Sequence, residues 1–168
     1  MEKIWLKHYP AGVPAQIQVD LYASLVALLE ESFAKYRKLP AYRFMGRGIS
    51  FGQVDDRSRA LAAYLQSLDL DKGDRVAIMM PNVPQYPVAV AAILRAGYVV
   101  VNVNPLYTPR ELEHQLKDSG AEAIVILENF CTTLQQVIAR TQVKHVVVAS
   151  VGEMLGFPKS IIVNLVLR

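Results

Sequence analysis

Asp71-Lys72-Gly73-Asp74-Arg75-Val76-Ala77-Ile78-Met79-Met80-Pro81-Asn82 is the stretch on which the fold turns. Its first four residues read as a turn, and residues 75–80 are then an almost unbroken apolar run. A strand of that kind, apolar on both sides of its pleat, belongs in a parallel sheet covered by helices on both faces. The alternation continues downstream. A helix from about Gln85 to Ala96 ends at Gly97, a residue suited to a left-handed C-cap, and Tyr98-Val99-Val100-Val101-Asn102-Val103 is the next strand. Thr108-Pro109-Arg110-Glu111 combines capping-box spacing with proline at the first helical position, opening a helix that ends at Gly120. Ala123-Ile124-Val125-Ile126-Leu127 is a strand, Asn129 caps a helix to about Arg140, and residues 143–149 form a β-branched strand. Short connections between alternating strands and helices predict an α/β fold with a largely parallel sheet flanked by helices.

Upstream, Ser24 caps a helix to about Tyr36 with Leu25, Leu28, Leu29 and Phe33 on one face. Residues 41–45 and 49–51 flank Gly46-Arg47-Gly48 and predict an N-terminal hairpin. Ser50 and Gln53 have capping-box spacing for a helix to about Leu68 that buries Val54, Leu61, Leu65 and Leu68. Residues 1–23, with Pro10 and Pro14 and no sustained period, are expected to be an extended arm; residues 24–150 form the α/β part. Residues 151–168 are an apolar tail, Gly156-Phe157-Pro158 and then Ile161-Ile162-Val163-Asn164-Leu165-Val166-Leu167. The tail stops without a capping or turn signal, as expected of a chain whose remainder is missing.

The chain has 168 residues, 52% hydrophobic and 20% charged, enough apolar material for a core and too much for disorder. Lys and Arg number 18 against 15 Asp and Glu, scattered without a basic run, so no nucleic-acid partner is expected. Cys131 stands alone and reads as a small apolar residue; no intrachain disulfide can form. Charges interrupt the first residues, so no secretory signal is read there and the cytoplasm is the expected compartment. Residues 76–94 carry no charge and approach the ~20 needed to cross a bilayer. Pro81, Pro84 and Pro87 would break such a helix repeatedly.

Candidate sites are few. A dinucleotide-binding turn needs Gly-x-Gly-x-x-Gly, whereas here Gly46 and Gly48 are followed by Gly52, one residue late, so a hairpin turn is the better reading. His8, His114 and His145 lack a second ligand at metal spacing; His114 reads as surface and His145 as structural. Asp55-Asp56, near a helix start, read as dipole compensation. No nucleophile elbow occurs. No catalytic, cofactor-binding or metal residue is assigned. The tail residues Ile161, Ile162, Val163, Leu165 and Leu167, with basic residues at both ends, are either a contact with a membrane surface or partner, or an element of a core that continues elsewhere.

Four segments carry a resemblance to the adenylate-forming ligase superfamily. Ile49-Ser50-Phe51-Gly52-Gln53-Val54 is similar to its early strand-to-helix element, and Asp71 to Asn82 to its KGDRVA…PN strand. Ile93-Leu94-Arg95-Ala96-Gly97 through Asn104-Pro105 looks like its KAG…NP element. Leu106-Tyr107-Thr108-Pro109-Arg110-Glu111-Leu112-Glu113-His114-Gln115-Leu116, with the opening Ile4-Trp5-Leu6-Lys7-His8-Tyr9-Pro10, resembles the long-chain fatty-acid–CoA ligases of Gram-negative bacteria.

The resemblance implies part of the N-terminal domain of an adenylate-forming fold. It implies a two-step reaction in which a long-chain fatty-acid carboxylate attacks the α-phosphate of ATP and the thiol of coenzyme A then displaces AMP, with Mg2+ on the phosphates. The superfamily's phosphate loop, magnesium motif, ribose-binding aspartate and catalytic lysine have no counterpart here. By that resemblance the chain alone is expected to be inactive and to bind none of ATP, Mg2+ and coenzyme A. It would contribute one sheet and part of a subunit contact in a homo-oligomer, cytoplasmic or peripheral to the inner membrane. A non-catalytic membrane- or subunit-docking module, and a medium-chain or aryl-acid CoA ligase, remain as alternatives.

Overall fold

The computed structural model describes residues 2–167. Met1, the first residue of the expected arm, and Arg168, the last of the tail, lie outside the described residues. In chain order the elements are α1 (Leu25–Lys35), β1 (Pro40–Phe44), β2 (Arg47–Ser50), α2 (Phe51–Gln66), β3 (Arg75–Met79) and α3 (Gln85–Ala96). They continue as β4 (Val99–Val103), α4 (Pro109–Ser119), β5 (Ala123–Leu127), α5 (Cys131–Gln135), β6 (His145–Ala149) and α6 (Lys159–Val166).

The caps form as their spacing requires. Ser24 Oγ accepts from the Ala27 N–H at 3.1 Å, and both capping boxes, Ser50 with Gln53 and Thr108 with Glu111, close reciprocally. Gly97 and Gly120 take left-handed conformations at the ends of α3 and α4, with φ of 88° and 64°. β1 and β2 pair antiparallel across a tight turn at Met45 and Gly46, both at positive φ. Gly48 therefore lies within β2 and not in the turn.

The main sheet is parallel throughout, in the order β4-β3-β5-β6. β5 is buried along its whole length, as its unbroken apolar sequence demands. On one face α2 and α3 cover Val76, Ile78, Ala123 and Val125; on the other Leu112 and Leu116 of α4, with Leu134 and Val137, cover Ala77, Met79, Ile124 and Ile126. Each fully buried Ile or Leu here contributes about 1.5–3 kcal/mol relative to exposure. α1 and the hairpin close a third cluster of Phe33, Ile49, Val54, Val88, Ala91 and Met154.

One expectation changes in the segment after β5. The helix capped by Asn129 is instead a 3-10 turn (Glu128–Phe130), the five-residue α5 and a second 3-10 turn (Ile138–Arg140). Thr132, Thr133, Val137 and Ile138 are poor helix formers, and Asn129 turns its amide toward the Leu167 carbonyl, 3.4 Å away. Because α5 is short, Val146 and Val148 on that face of β6 stay exposed. The arm contains a 3-10 turn (Ile4–His8), and none of residues 2–23 is buried. In the tail, Met154 and Leu155 are buried before α6 begins.

Candidate functional site

Two places in this architecture have the shape of a site. The first is set by topology. The β3-to-β4 connection moves one way across the sheet and the β4-to-β5 connection returns past β3, so the order reverses between β3 and β5. In open α/β sheets the crevice outside the carboxyl ends of the strands at such a switch point is where ligands bind. Here it is bounded by Pro81 and Asn82 in the loop after β3, by Gln85 at the start of α3, and by Glu128 and Asn129 after β5.

Residues 150–167 fold across this end of the sheet. Gln85 is 5% exposed, and its Nε2 donates to the Ser150 carbonyl at 2.6 Å while its Oε1 is buried without a hydrogen-bond partner among the described residues. Asn164 of α6 accepts from the Gly152 N–H at 2.7 Å and donates to Ser150 Oγ at 3.0 Å. Burial pushes the Glu153 carboxyl above the usual carboxylate range, and the nearby Glu128 carboxylate pushes the same way, against the Ser150 N–H, Gln85 and Arg57. The crevice thus holds a polar network that ties α6 to the sheet. Among the described residues no group of three or more His, Cys, Asp or Glu stands where it could hold a metal ion.

The second place is an apolar groove of about 730 Å³ between α1, the hairpin and α3. Leu29, Phe33, Phe44, Phe51, Val83 and Val90 are among its apolar lining, and Arg43 and Asn82 among its polar lining. A charged cluster meets the groove at Phe33. Arg95 Nη2 lies 2.6 Å from Asp55 Oδ1 and Arg95 Nε lies 2.8 Å from Glu30 Oε1, so α3 is tied to α2 and α1 together. Arg37 Nη1 and Arg59 Nε reach Asp55 at 3.0 Å each, Arg59 also pairs with Glu30, and Arg95 donates to Ser58 Oγ. The Arg95 guanidinium sits 5.1 Å over the Phe33 ring, at the groove wall. The groove can take an apolar body, but its walls carry no cysteine, histidine or carboxylate.

The residues singled out from sequence are scattered. Asp55 is not dipole compensation on a helix surface: it is 6% exposed and is the hub of the ion-pair cluster. Its place on the buried stripe of α2, with Ser58, Ala62 and Leu65, was the signal in the sequence. Gly46 and Gly48 belong to the hairpin, and the following helix starts at Phe51, so the glycines frame no phosphate-binding turn. His114 is exposed beside Thr108, Arg110 and Glu111 in a shallow depression. His145 lies half-buried in β6, its Nε2 without a hydrogen-bond partner among the described residues. Cys131 is half-buried, and burial pushes its thiol up, away from reactivity. Of the tail residues, Ile161, Ile162 and Leu165 are exposed on α6, Leu167 is 44% exposed just beyond it, and Val163 turns partly inward beside Asn164.

This strand order, the paired capping boxes and the helices on both faces place the chain among α/β proteins built like the front of the AMP-binding enzymes. The AMP-binding enzyme family matches residues 29–164, and the chain belongs to that family. Over its whole length it is 56% identical to the long-chain-fatty-acid–CoA ligases of Yersinia pestis and Escherichia coli O157:H7, and it spans 30% of the length of each. It is 35% identical to the long-chain-fatty-acid–CoA ligase of Bacillus subtilis across 96% of the chain and 29% of that relative. Among solved structures, a long-chain-fatty-acid–CoA ligase from Archaeoglobus fulgidus matches 75% of this chain and 27% of its own, with a TM-score of 0.67 and 25% identity. An anthranilate CoA ligase in complex with anthranoyl-AMP matches 76% of this chain and 25% of its own, with a TM-score of 0.71 and 22% identity; that likeness is one of fold.

Proposed function

We propose that this chain is the N-terminal portion of a long-chain fatty-acid–CoA ligase, which activates a fatty acid with ATP as an acyl-adenylate and transfers the acyl group to coenzyme A. The observation that carries this reading is the 56% identity across the entire chain to ligases of that description. In the whole enzyme ATP, Mg2+ and coenzyme A would serve as cosubstrates and cofactor. Arg43 on the groove wall is a cation, but among the described residues no group of three or more His, Cys, Asp or Glu could hold a metal ion beside it, and no step is assigned to a residue of this chain. Its role in that reading is scaffolding: the sheet, and the cluster around Asp55, hold the walls against which the rest of the enzyme packs.

The enzyme would work in the cytoplasm, with a peripheral contact to the inner membrane and a homo-oligomeric state. Among the described residues no helix is long and apolar enough to cross a membrane. The exposed face of β6 at Val146 and Val148 supports a packing partner for this sheet.

Joining this chain in frame to the complementary part of the Escherichia coli relative tests the proposal. The soluble chimera is expected to catalyse ATP–pyrophosphate exchange dependent on a long-chain fatty acid, and the isolated chain to give none. A folded chimera without exchange would overturn the ligase reading; exchange by the isolated chain would overturn its scaffolding role.

A further inference from the structure

We propose that α6 and the β1–β2 turn together form one docking surface for an anionic lipid bilayer. This surface gives the peripheral contact proposed above its residues, and rests on that reading. The two segments are far apart in sequence and adjacent in space. Lys159 Nζ donates to the Met45 carbonyl at 3.4 Å, and the Arg47 guanidinium packs against Gly156, where an added Cβ would meet it at 3.3 Å.

Both segments expose large apolar side chains. Met45 is 52% exposed at the turn, Phe157 is 86% exposed beside it, and Ile161, Leu165 and Val166 on α6 are 60%, 76% and 75% exposed. The opposite side of α6 is fastened to the protein through Asn164, so the helix presents these residues outward in a fixed orientation. An interfacial helix needs this arrangement, an apolar face with cations beside it.

Charge selects the occupant. The hairpin, residues 40–50, holds Arg43 and Arg47 and no acidic residue. Residues 154–167 hold Lys159 and no acidic residue. Arg47 and Lys159 stand at the junction of the two segments, at the edge of the apolar patch, where phosphate headgroups would meet them. A neutral apolar partner would leave these cations unmatched.

The experiment is co-sedimentation of the 168-residue chain with vesicles of phosphatidylglycerol and phosphatidylcholine in equal parts, beside vesicles of phosphatidylcholine alone. Binding to the anionic vesicles, reversed by high salt and absent with the neutral ones, is expected. Ile161→Glu with Leu165→Glu should abolish it, and Arg47→Glu with Lys159→Glu should weaken it more than about tenfold. Arg47→Lys with Lys159→Arg should keep it, and circular dichroism confirms that each variant is folded. Absence of binding, equal binding to neutral vesicles, or anionic binding unchanged by Ile161→Glu with Leu165→Glu would overturn the surface. So would a concentration-dependent dimer lost in that variant without vesicle binding, which would make the patch a protein contact. None of these readouts depends on ligase activity, so the surface and the ligase reading fail separately.

Discussion

Arg95 of α3 and Asp55 of α2 face each other at 2.6 Å with side chains only 8% and 9% exposed. The pair sits between three helices, with Glu30 of α1 on the same guanidinium. Removing one member of a buried pair strands the other charge away from water, at a cost of about 3–5 kcal/mol. Asp55→Ala should therefore lower the unfolding free energy by about that amount in urea titration. Arg59→Ala, which loses a partner of Asp55 that is 55% exposed, should cost less than about 1 kcal/mol. Equal effects from the two substitutions would mean that water reaches Asp55 in solution.

Gly52 lies in the first turn of α2, where alanine would ordinarily be favoured by up to about 1 kcal/mol. A Cβ there would come within 2.8 Å of Arg37 Cγ and 2.9 Å of the Arg37 carbonyl oxygen, and the backbone oxygen cannot rotate away. That same oxygen accepts the Gly52 N–H at 2.9 Å. Overlap should outweigh propensity, and Gly52→Ala should lose about 1–3 kcal/mol in thermal unfolding. Gly48→Ala, with nothing within 4 Å of its Cβ, serves as the control and should be close to neutral.

Glu113 of α4 is held down to about 2, first by the hydrogen bond from Arg140 and then by that from Lys117. Its folded-state value is lower than the unfolded one, so its contribution is present above the ordinary glutamate range, near 4.3, and disappears as pH falls toward about 2. The melting temperatures of the native chain and Glu113→Gln should differ at neutral pH and converge through that acid window. A constant difference down to pH 2 would show that the carboxylate is not the titrating group.

Glu153 behaves in the opposite sense. Partial desolvation of the carboxyl raises it although the residue as a whole is exposed, so the folded chain holds the proton somewhat more tightly than the unfolded one. Stability from this position is complete at acid pH and is lost as pH rises through the folded value. Glu153→Gln should melt higher than the native chain at neutral pH and level with it in acid. A variant that melts lower at neutral pH would mean that the ionised carboxylate is the stabilising form, paired with Arg57.

Local chemistry made most elements legible. Ser50 with Gln53 and Thr108 with Pro109 and Glu111 act over three residues, and Gly97 and Gly120 stop helices by their own backbone freedom. The apolar runs of β3 and β5 needed no further context, since only a sheet covered on both faces can bury them. α5 was misread because Asn129 carries a good capping side chain whose partner turned out to be the end of α6, 38 residues on. The hub at Asp55 escaped because its partners Arg95 and Glu30 are 65 residues apart from each other in the chain, while Asp56, its neighbour, is a surface residue.

The amino-acid order alone marked most of the strands and helices, the segment after β5 apart, and pointed to a parallel sheet, since caps act within a few residues and the apolar runs of β3 and β5 fit only a sheet covered on both faces. Only the folded chain decided which charges are buried, that residues 150–167 lie across the switch point, and that Arg47 meets Lys159 beside an exposed apolar helix face. Those outcomes depend on pairings across tens of residues, set by how the helices pack on the two faces of the sheet, and no local period encodes them.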